Sequence, residues 1–152
     1  MEELPIRLRS YRRDDLNTLF EIDQACFPQG VSYAREELAG FISHPDSMTW
    51  VAEAGKAIVG FLVANREPKQ VGHIITIDVV EPWRRRRVGS LLMDAAEHWA
   101  RRRRLRFVYL ETATDNLAAR RFYRARGYER VNQVDNYYQT GQAAWIMVKW
   151  LK

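Results

Sequence analysis

The sequence has few of the residues that build disulfide scaffolds or metal centres. It contains one cysteine, Cys26, and three histidines, His44, His73 and His98, so no internal disulfide can form. The histidines are scattered and show no metal-ligand spacing, and we interpret them as structural or exposed. No histidine lies near Cys26 in sequence to activate its thiol, so we interpret it as a buried bystander. A lone thiol suits a reducing compartment, so we expect a cytoplasmic protein. From the histidine spacing we expect no metal cofactor.

Long apolar runs are also missing. No stretch is long enough to cross a bilayer, and residues 1–5 lack the basic and then apolar pattern of a secretion signal. We therefore expect no association with a membrane. The 152 residues are 47% hydrophobic and 28% charged, which is typical of a soluble globular chain. This length predicts one domain, 1–152, around one hydrophobic core.

Lysine is scarce, whereas arginine is abundant. Four lysines stand against twenty arginines, and the net charge is +5. Residues 84–130 hold 14 arginines and 5 acidic residues, a net of +9, so the rest of the chain sums to −4. This asymmetry favours an anionic ligand near one part of the fold, because guanidinium groups bind phosphate well. A GC-rich genome would also explain many arginines without any function.

The pattern of apolar residues and turn signals predicts a mixed α/β chain. Its order is one strand, two helices, three strands, a helix, a strand, a helix and two final strands. Residues 72–80 are rich in Ile and Val, as in a central strand. Asn116 is placed to cap the last helix, and Gly127 to end it. The arginine run 101–104 ends the third helix, where cations meet the negative end of the helix dipole, so this run needs no functional explanation.

The most informative segment joins the central strand to the third helix. Residues 84–89 form a basic loop that opens a helix, an arrangement in which free backbone N–H groups and the helix dipole bind a pyrophosphate. The loop lacks the GxxxxGK[ST] and GxGxxG patterns of the common nucleotide folds, which leaves another phosphate-bearing ligand. A tetra-arginine also suits nucleic acid, but aromatic residues do not alternate with this run as they do in single-strand binding sites.

This segment resembles the acyl-CoA signature of the GNAT acetyltransferase family. In that family a strand and a proline precede R/Q-x-x-G-x-G/A at the start of a helix. Arg84 takes the first position and Gly89 the last, while Arg87 stands where the family usually has its first glycine. Glycine there lets the backbone approach phosphate closely. An arginine at this position still offers its backbone N–H if its Cβ points outward. The replacement of glycine by arginine therefore bears on the affinity for CoA.

A second block supports the resemblance. Asn116, Ala119, Tyr123, Gly127 and Tyr128 match the family's N-x-x-A-x-x-x-Y-x-x-x-G-F/Y spacing, downstream of the loop. These motifs cover about residues 77–147.

Within the family, the chain looks most like the bacterial enzymes that acetylate ribosomal-protein N-termini. Phe27-Pro28 lies between the first two helices, Glu111 follows a leucine in the fifth strand, and residues 136–138 read Asn-Tyr-Tyr. Ala143 departs from the acidic residue that is usual in this branch.

The resemblance implies a fold and a set of functional residues. The fold would be a single α/β domain, with a mixed, mostly antiparallel sheet of about seven strands and four helices, splayed between strands 4 and 5. Glu111 would act as general base, directly or through a water, and Tyr123 as general acid. The residues that would bind acetyl-CoA are Val79, Val80, Arg84, Arg85, Arg86, Arg87, Val88, Gly89, Ser90 and Asn116. The residues that would line the acceptor pocket are Phe27, Pro28, Tyr33, Tyr137 and Tyr138.

The reaction implied is direct transfer of acetyl from acetyl-CoA to a primary amine in a ternary complex, most simply a protein or peptide α-amine. Homodimers are common in this fold. Several alternatives stay open: a polyamine or amino acid as acceptor, a non-catalytic acyl-CoA sensor, or a nucleic-acid module built on residues 84–106. Tyr123 could instead be a core aromatic, Glu111 a solvent-facing strand residue, and Tyr137 and Tyr138 ordinary strand aromatics.

Overall fold

A computed structural model describes residues 4–151, so the two ends of the predicted domain, residues 1–3 and 152, lie outside the described residues. The described part contains seven strands and four helices. The strands are β1 (Ile6–Ser10), β2 (Ser47–Ala54), β3 (Ala57–Glu67), β4 (Val71–Val79), β5 (Phe107–Ala113), β6 (Glu129–Val134) and β7 (Ala144–Trp150). The helices are α1 (Leu16–Cys26), α2 (Arg35–Ser43), α3 (Val88–Arg102) and α4 (Leu117–Ala125).

All seven strands join one mixed sheet in the order β1-β2-β3-β4-β5-β7-β6. Every neighbouring pair is antiparallel except β4 and β5, which are parallel. A parallel pair needs a crossover connection, and α3 supplies it. The predicted α/β class, with its mixed sheet and four helices, is confirmed.

Helices cover both faces of the sheet. On one face, Leu92 of α3 packs in a core cluster with Leu62 of β3, and both are fully buried. On the other face, Leu19 of α1 and Leu38 of α2 pack with Phe61 of β3. Phe61 and Leu62 are adjacent in a strand, so their side chains point to opposite faces. This alternation joins the two layers through one strand.

The ends of α4 are those that the sequence predicts. The Asn116 Oδ1 accepts a hydrogen bond from the backbone N–H of Ala119 at 3.2 Å, which caps the first turn. Gly127 follows the helix with φ of +93°, a conformation that glycine adopts without steric cost. The two terminal signals thus fix where the helix that carries Tyr123 begins and ends.

Two buried carboxylates tie the elements together. Glu97 of α3 accepts hydrogen bonds from Tyr128 Oη at 3.0 Å and from Lys149 Nζ at 2.7 Å, which links α3 to the β6–β7 edge. Asp15, just before α1, accepts two hydrogen bonds from the Arg9 guanidinium at 2.8 and 2.9 Å. That contact lowers the pKa of Asp15, despite the opposing effect of burial.

Candidate active site

A cleft opens where β4 and β5 separate. The two strands pair only over their first residues, ending at His73 with Tyr109, and then diverge. On its other side β4 carries a bulge, since Val63 pairs with Thr76 and Ala64 with Ile74, which leaves Ile75 as the extra residue. The resulting cleft has a volume of about 530 Å³. The predicted splay between the fourth and fifth strands is therefore present, at the carboxyl ends of parallel strands, where α/β folds commonly bind ligands.

The basic loop 84–87 leads from the end of β4 into α3. Because Val88, Gly89 and Ser90 form the first turn of a 15-residue helix, their N–H groups have no acceptor within the helix. These amides and the positive end of the helix dipole form an anion-binding position. A Cβ on Gly89 would lie 3.3 Å from the Phe122 ring, so the absence of a side chain lets α3 pack closely against α4.

Two arginines of this loop have a left-handed backbone. The φ angles are +62° at Arg85 and +71° at Arg87, and both side chains are exposed. A left-handed φ is costly for any residue with a Cβ, which explains physically why glycine is usual at the position of Arg87. The Arg87 side chain is exposed, and Arg87 stands at the N-cap of α3 directly before the free amides of the first turn.

Backbone groups at the end of β4, which the resemblance assigns to the cofactor, already have hydrogen-bond partners within the protein. The Val80 N–H donates to the Val59 carbonyl at 2.9 Å. The Val79 carbonyl accepts from Arg84 Nε at 2.9 Å and from Cys26 Sγ at 3.5 Å. Burial, followed by the nearby charge of Asp78, raises the pKa of Cys26, which keeps its thiol protonated. A ligand pairing with Val79 or Val80 competes with these bonds, and neither residue lines the cleft.

Tyr123 and Asn116 both line the cleft from α4. The Tyr123 side chain is buried, and burial raises its pKa, with a further contribution from the charge of Asp78. A phenol in this setting stays protonated at neutral pH, so it is a proton donor. Asn116 presents its side chain at the same wall while its Oδ1 caps the helix.

Glu111 lines the same cleft from β5 and belongs to a hydrogen-bonded row of side chains. Its Oε1 lies 2.7 Å from His73 Nε2, and His73 Nδ1 lies 2.9 Å from Glu67 Oε2. The Tyr109 hydroxyl donates to Glu67 Oε1 at 2.7 Å, and the Tyr109 ring stacks on His73 with centroids 4.2 Å apart. Burial opposes a charge on His73, but the bonds and charges of the two glutamates outweigh it, so the pKa of His73 is raised.

Sequence reasoning missed His73. No spacing along the chain connects it to Glu111, because the two residues meet only through the parallel pairing of β4 with β5. The one available signal was its place in the strand that leads to the anion-binding loop. A histidine without metal-ligand spacing can thus still belong to a functional site. Within residues 4–151 no group of three or more His, Cys, Asp or Glu side chains could hold a metal ion.

The five predicted acceptor residues all line the cleft. They are Phe27, Pro28, Tyr33, Tyr137 and Tyr138. The Tyr33 hydroxyl donates to the carbonyl of Ile75, the bulged residue of β4, at 3.2 Å. The loops that carry these residues touch each other, since the Gln139 N–H donates to the Gly30 carbonyl at 3.2 Å.

Two buried carboxyl groups face each other between α1 and β4. Asp23 of α1 and Asp78 of β4 are almost fully buried and face each other. Burial and the hydrogen bond with Asp23 raise the pKa of Asp78 well above its usual value. Asp23 also accepts from the Tyr33 N–H at 2.8 Å, which fixes the start of the acceptor wall.

Comparisons with known proteins identify the family and support the fold. The sequence pattern of the acetyltransferase (GNAT) family matches residues 16–128, which is most of the chain and includes the loop and α4. The chain belongs to the GNAT family. The family resemblance drawn from the sequence is confirmed, and the protein is an N-acetyltransferase of this family.

Two relatives match over nearly their whole length. An uncharacterised N-acetyltransferase from Methanocaldococcus jannaschii is 28% identical, over 93% of this chain and 90% of the relative. An N-alpha-acetyltransferase from Sulfurisphaera tokodaii is 26% identical, with the same coverage of 93% and 90%.

Solved structures share the fold. Ard1 from Thermoplasma volcanium has a TM-score of 0.88 at 26% identity, covering 95% of this chain and 97% of that one. The ribosomal-protein-S18-alanine N-acetyltransferase from Escherichia coli has a TM-score of 0.86 at 18% identity, covering 97% and 95%. Arabidopsis thaliana NAA60, solved with acetyl-CoA, has a TM-score of 0.85 at 20% identity, covering 96% and 98%. At such identities the last two likenesses concern the fold.

No helix within the described residues of this GNAT protein is both long and apolar enough to span a membrane.

Proposed function

We propose that this GNAT enzyme transfers acetyl from acetyl-CoA to the α-amine at a protein or peptide N-terminus. The observation that supports this most is the composition of the cleft. A carboxylate, Glu111, and a buried phenol, Tyr123, line the same cleft, which therefore contains a proton acceptor and a proton donor. Acetyl transfer to an amine needs both.

The start of α3 supplies the position for the diphosphate of the donor. The first-turn amides at Val88, Gly89 and Ser90 and the surrounding arginines suit an anion. Asn116 lines the cleft. The donor brings the thioester, and this chain binds and orients it.

Glu111 is the proposed base. An ammonium group cannot attack a carbonyl, so a proton must leave the amine first. The carboxylate lies on the cleft wall with 15% of its side chain exposed, and His73 holds one of its oxygens. It therefore accepts the amine proton, directly or through a water.

Tyr123 is the proposed acid. The thiolate that leaves needs a proton, and a phenol with a raised pKa retains one at neutral pH. It lines the cleft from α4, whereas Glu111 lines it from β5, so the two proton transfers use different elements of the fold.

The charge of the cleft favours a cationic acceptor. Its charged lining residues are Glu111 and Asp115, and no lysine or arginine among the described residues lines it, although the whole chain carries +5. An α-amine has a pKa of about 8, whereas a lysine amine has about 10.4. A carboxylate can deprotonate the former with less assistance. The names of the relatives, N-alpha-acetyltransferases among them, support the same choice.

The test is thiol release from acetyl-CoA in the presence of peptides. We expect turnover with free N-termini, and none with peptides whose N-terminus is blocked and whose only amine is a lysine. Glu111→Gln and Tyr123→Phe should each lower kcat by roughly 10²–10⁴-fold. Glu129→Gln and Tyr11→Phe are matched controls, because both residues lie outside the cleft.

Different outcomes point to the alternatives. Turnover with polyamines or amino acids but not peptides would replace the proposed acceptor. Binding of acetyl-CoA without turnover on any amine would make the protein a sensor. We also propose that the enzyme acts in the cytoplasm, which its single unpaired cysteine supports. Fractionation of cells with an antibody against the protein tests that location.

A further inference from the structure

The cleft contains one carboxylate more than the proposed reaction uses. Glu111 and Asp115 both line it, and Glu111 is the proposed base. Acetyl transfer to an amine needs one proton acceptor and one proton donor, which Glu111 and Tyr123 already supply. The reaction therefore leaves Asp115 without a role, although it is a charged group in a cleft of about 530 Å³.

Hydrogen bonds place Asp115 beside the residues assigned to the acceptor. It follows Thr114, whose Oγ1 accepts a hydrogen bond from Gln142 Nε2. The Thr114 N–H also donates to the Ala143 carbonyl at 3.0 Å. The Gln142 carbonyl in turn accepts from the Tyr138 N–H at 3.1 Å. The turn that carries Asp115 is thus bonded to the loop that carries Tyr138.

The electrostatics of Tyr138 agree with this position. Burial raises the pKa of its phenol, and the charges of Tyr137, Glu111 and Asp115 raise it further. Both carboxylates therefore act on one hydroxyl in the acceptor part of the cleft. A positive group that binds there is attracted by both of them.

No basic side chain pairs with Asp115. In the part of the chain that the structure describes, no lysine, arginine or histidine forms an ion pair with its carboxylate. Arg120 of α4 donates to the Thr114 carbonyl at 2.8 Å, and its guanidinium stacks on Trp145 at 3.7 Å from the ring centroid. Asn116 caps α4, so the first turn of this helix does not depend on the Asp115 carboxylate.

Chain geometry limits where a second cation of the acceptor would lie. Glu111 and Asp115 are four residues apart, so their Cα atoms are separated by at most about 14 Å. An extended acceptor advances by about 3.3 Å per residue, and lysine and arginine have long side chains. A basic side chain on the second or third residue therefore reaches Asp115 while the α-amine lies at Glu111.

We infer that Asp115 selects acceptors with a lysine or arginine at their second or third residue, by binding this second positive charge. The inference rests on the proposed function and adds a side-chain preference to it. The Tyr137 and Tyr138 rings, which meet edge to face with centroids 4.8 Å apart, supply an aromatic wall for the aliphatic part of such a side chain.

A peptide series tests the preference. Peptides of one length with arginine, glutamine or glutamate at position 2, 3 or 6 are compared by kcat/KM in the thiol-release assay. At low salt we expect arginine at position 2 or 3 to exceed glutamine by about two- to fivefold, as for a partly exposed ion pair. Glutamate there should fall below glutamine, position 6 should have no effect, and added salt should weaken the preference.

Asp115→Asn and Asp115→Lys test the residue itself. D115N should bring the arginine peptide down to the level of the glutamine peptide, and D115K should reverse the order, so that glutamate is preferred. Asp135→Asn and Asp135→Lys are matched controls, because Asp135 is an exposed carboxylate next to the same loop that does not line the cleft. Both should keep the wild-type order. An order that D115K leaves unchanged, or that D135K changes equally, would overturn the inference.

Equilibrium binding separates this inference from the proposed function. CoA carries no acetyl group, so calorimetry with CoA present measures peptide affinity without turnover. If arginine peptides bind more tightly, lose this advantage in D115N and are never acetylated, the site for basic peptides stands while the proposed function fails. Equal affinities and equal turnover for all peptides would overturn the inference and leave the proposed function standing. Absence of both binding and turnover would overturn both.

Discussion

Replacing Arg87 by both alanine and glycine measures the cost of its left-handed backbone. Both variants lose the side chain, and they differ only in the Cβ. At φ of +71° a Cβ costs about 1–2 kcal/mol, whereas glycine costs roughly 0.5–1 kcal/mol through the greater freedom of the unfolded chain. We therefore expect R87G to unfold with a free energy about 0.5–1 kcal/mol higher than that of R87A.

Arg121 is the matched control. It is also an exposed arginine, but it lies in the middle of α4, where the backbone is right-handed. There glycine should be less stable than alanine by about 1 kcal/mol. The sign of the alanine-to-glycine difference should thus reverse between the two positions. The entropic cost of glycine in the unfolded chain is common to the alanine–glycine pairs at Arg87 and at Arg121. Subtracting the difference at one position from that at the other therefore leaves the steric cost of the left-handed conformation.

Urea unfolding of the four variants measures these differences, provided that the slope of the transition is unchanged. In a chain of this size 1 kcal/mol corresponds to about 2–4 °C in Tm. If R87A were more stable than R87G by the amount found at Arg121, residue 87 would not be left-handed, and our reason for the usual glycine would be wrong.

Three other perturbations follow from the packing. Gly89→Ala places a methyl 3.3 Å from Phe122, so calorimetry should show weaker acetyl-CoA binding and a stability loss of about 1 kcal/mol. Glu97→Ala leaves Lys149 without its buried partner and should cost about 3 kcal/mol in urea unfolding; a loss below 0.5 kcal/mol would contradict a role for this buried pair. The lowered pKa of Asp15 contributes stability that is present above the unfolded pKa of about 3.9 and is lost as pH falls through the folded value. Asp15→Asn should therefore flatten the acid limb of a stability–pH curve, and an unchanged limb would refute this contribution.

Local signals predicted most of the fold correctly. The capping amide of Asn116, the glycine at 127 and the Ile- and Val-rich central strand act over a few residues, so their effect is visible in sequence. The two family motifs also act locally, because a loop and the first turn of a helix bind an anion without distant partners. The element order followed from the local signals, and the motifs indicated the family, whose resemblance in turn implied the sheet and the splay after the fourth strand.

The row from Glu111 through His73 to Glu67 required the tertiary structure. These residues belong to three strands, and only the pairing of β3 with β4 and of β4 with β5 brings them together. The same holds for the left-handed Arg87 and for Asp23 against Asp78, whose properties depend on backbone conformation and on burial. The sequence by itself thus determined the elements and the loop that suits an anion, because those depend on neighbours along the chain. The proton affinities of His73 and Asp78 were decided by folding, since they depend on neighbours across strands and helices.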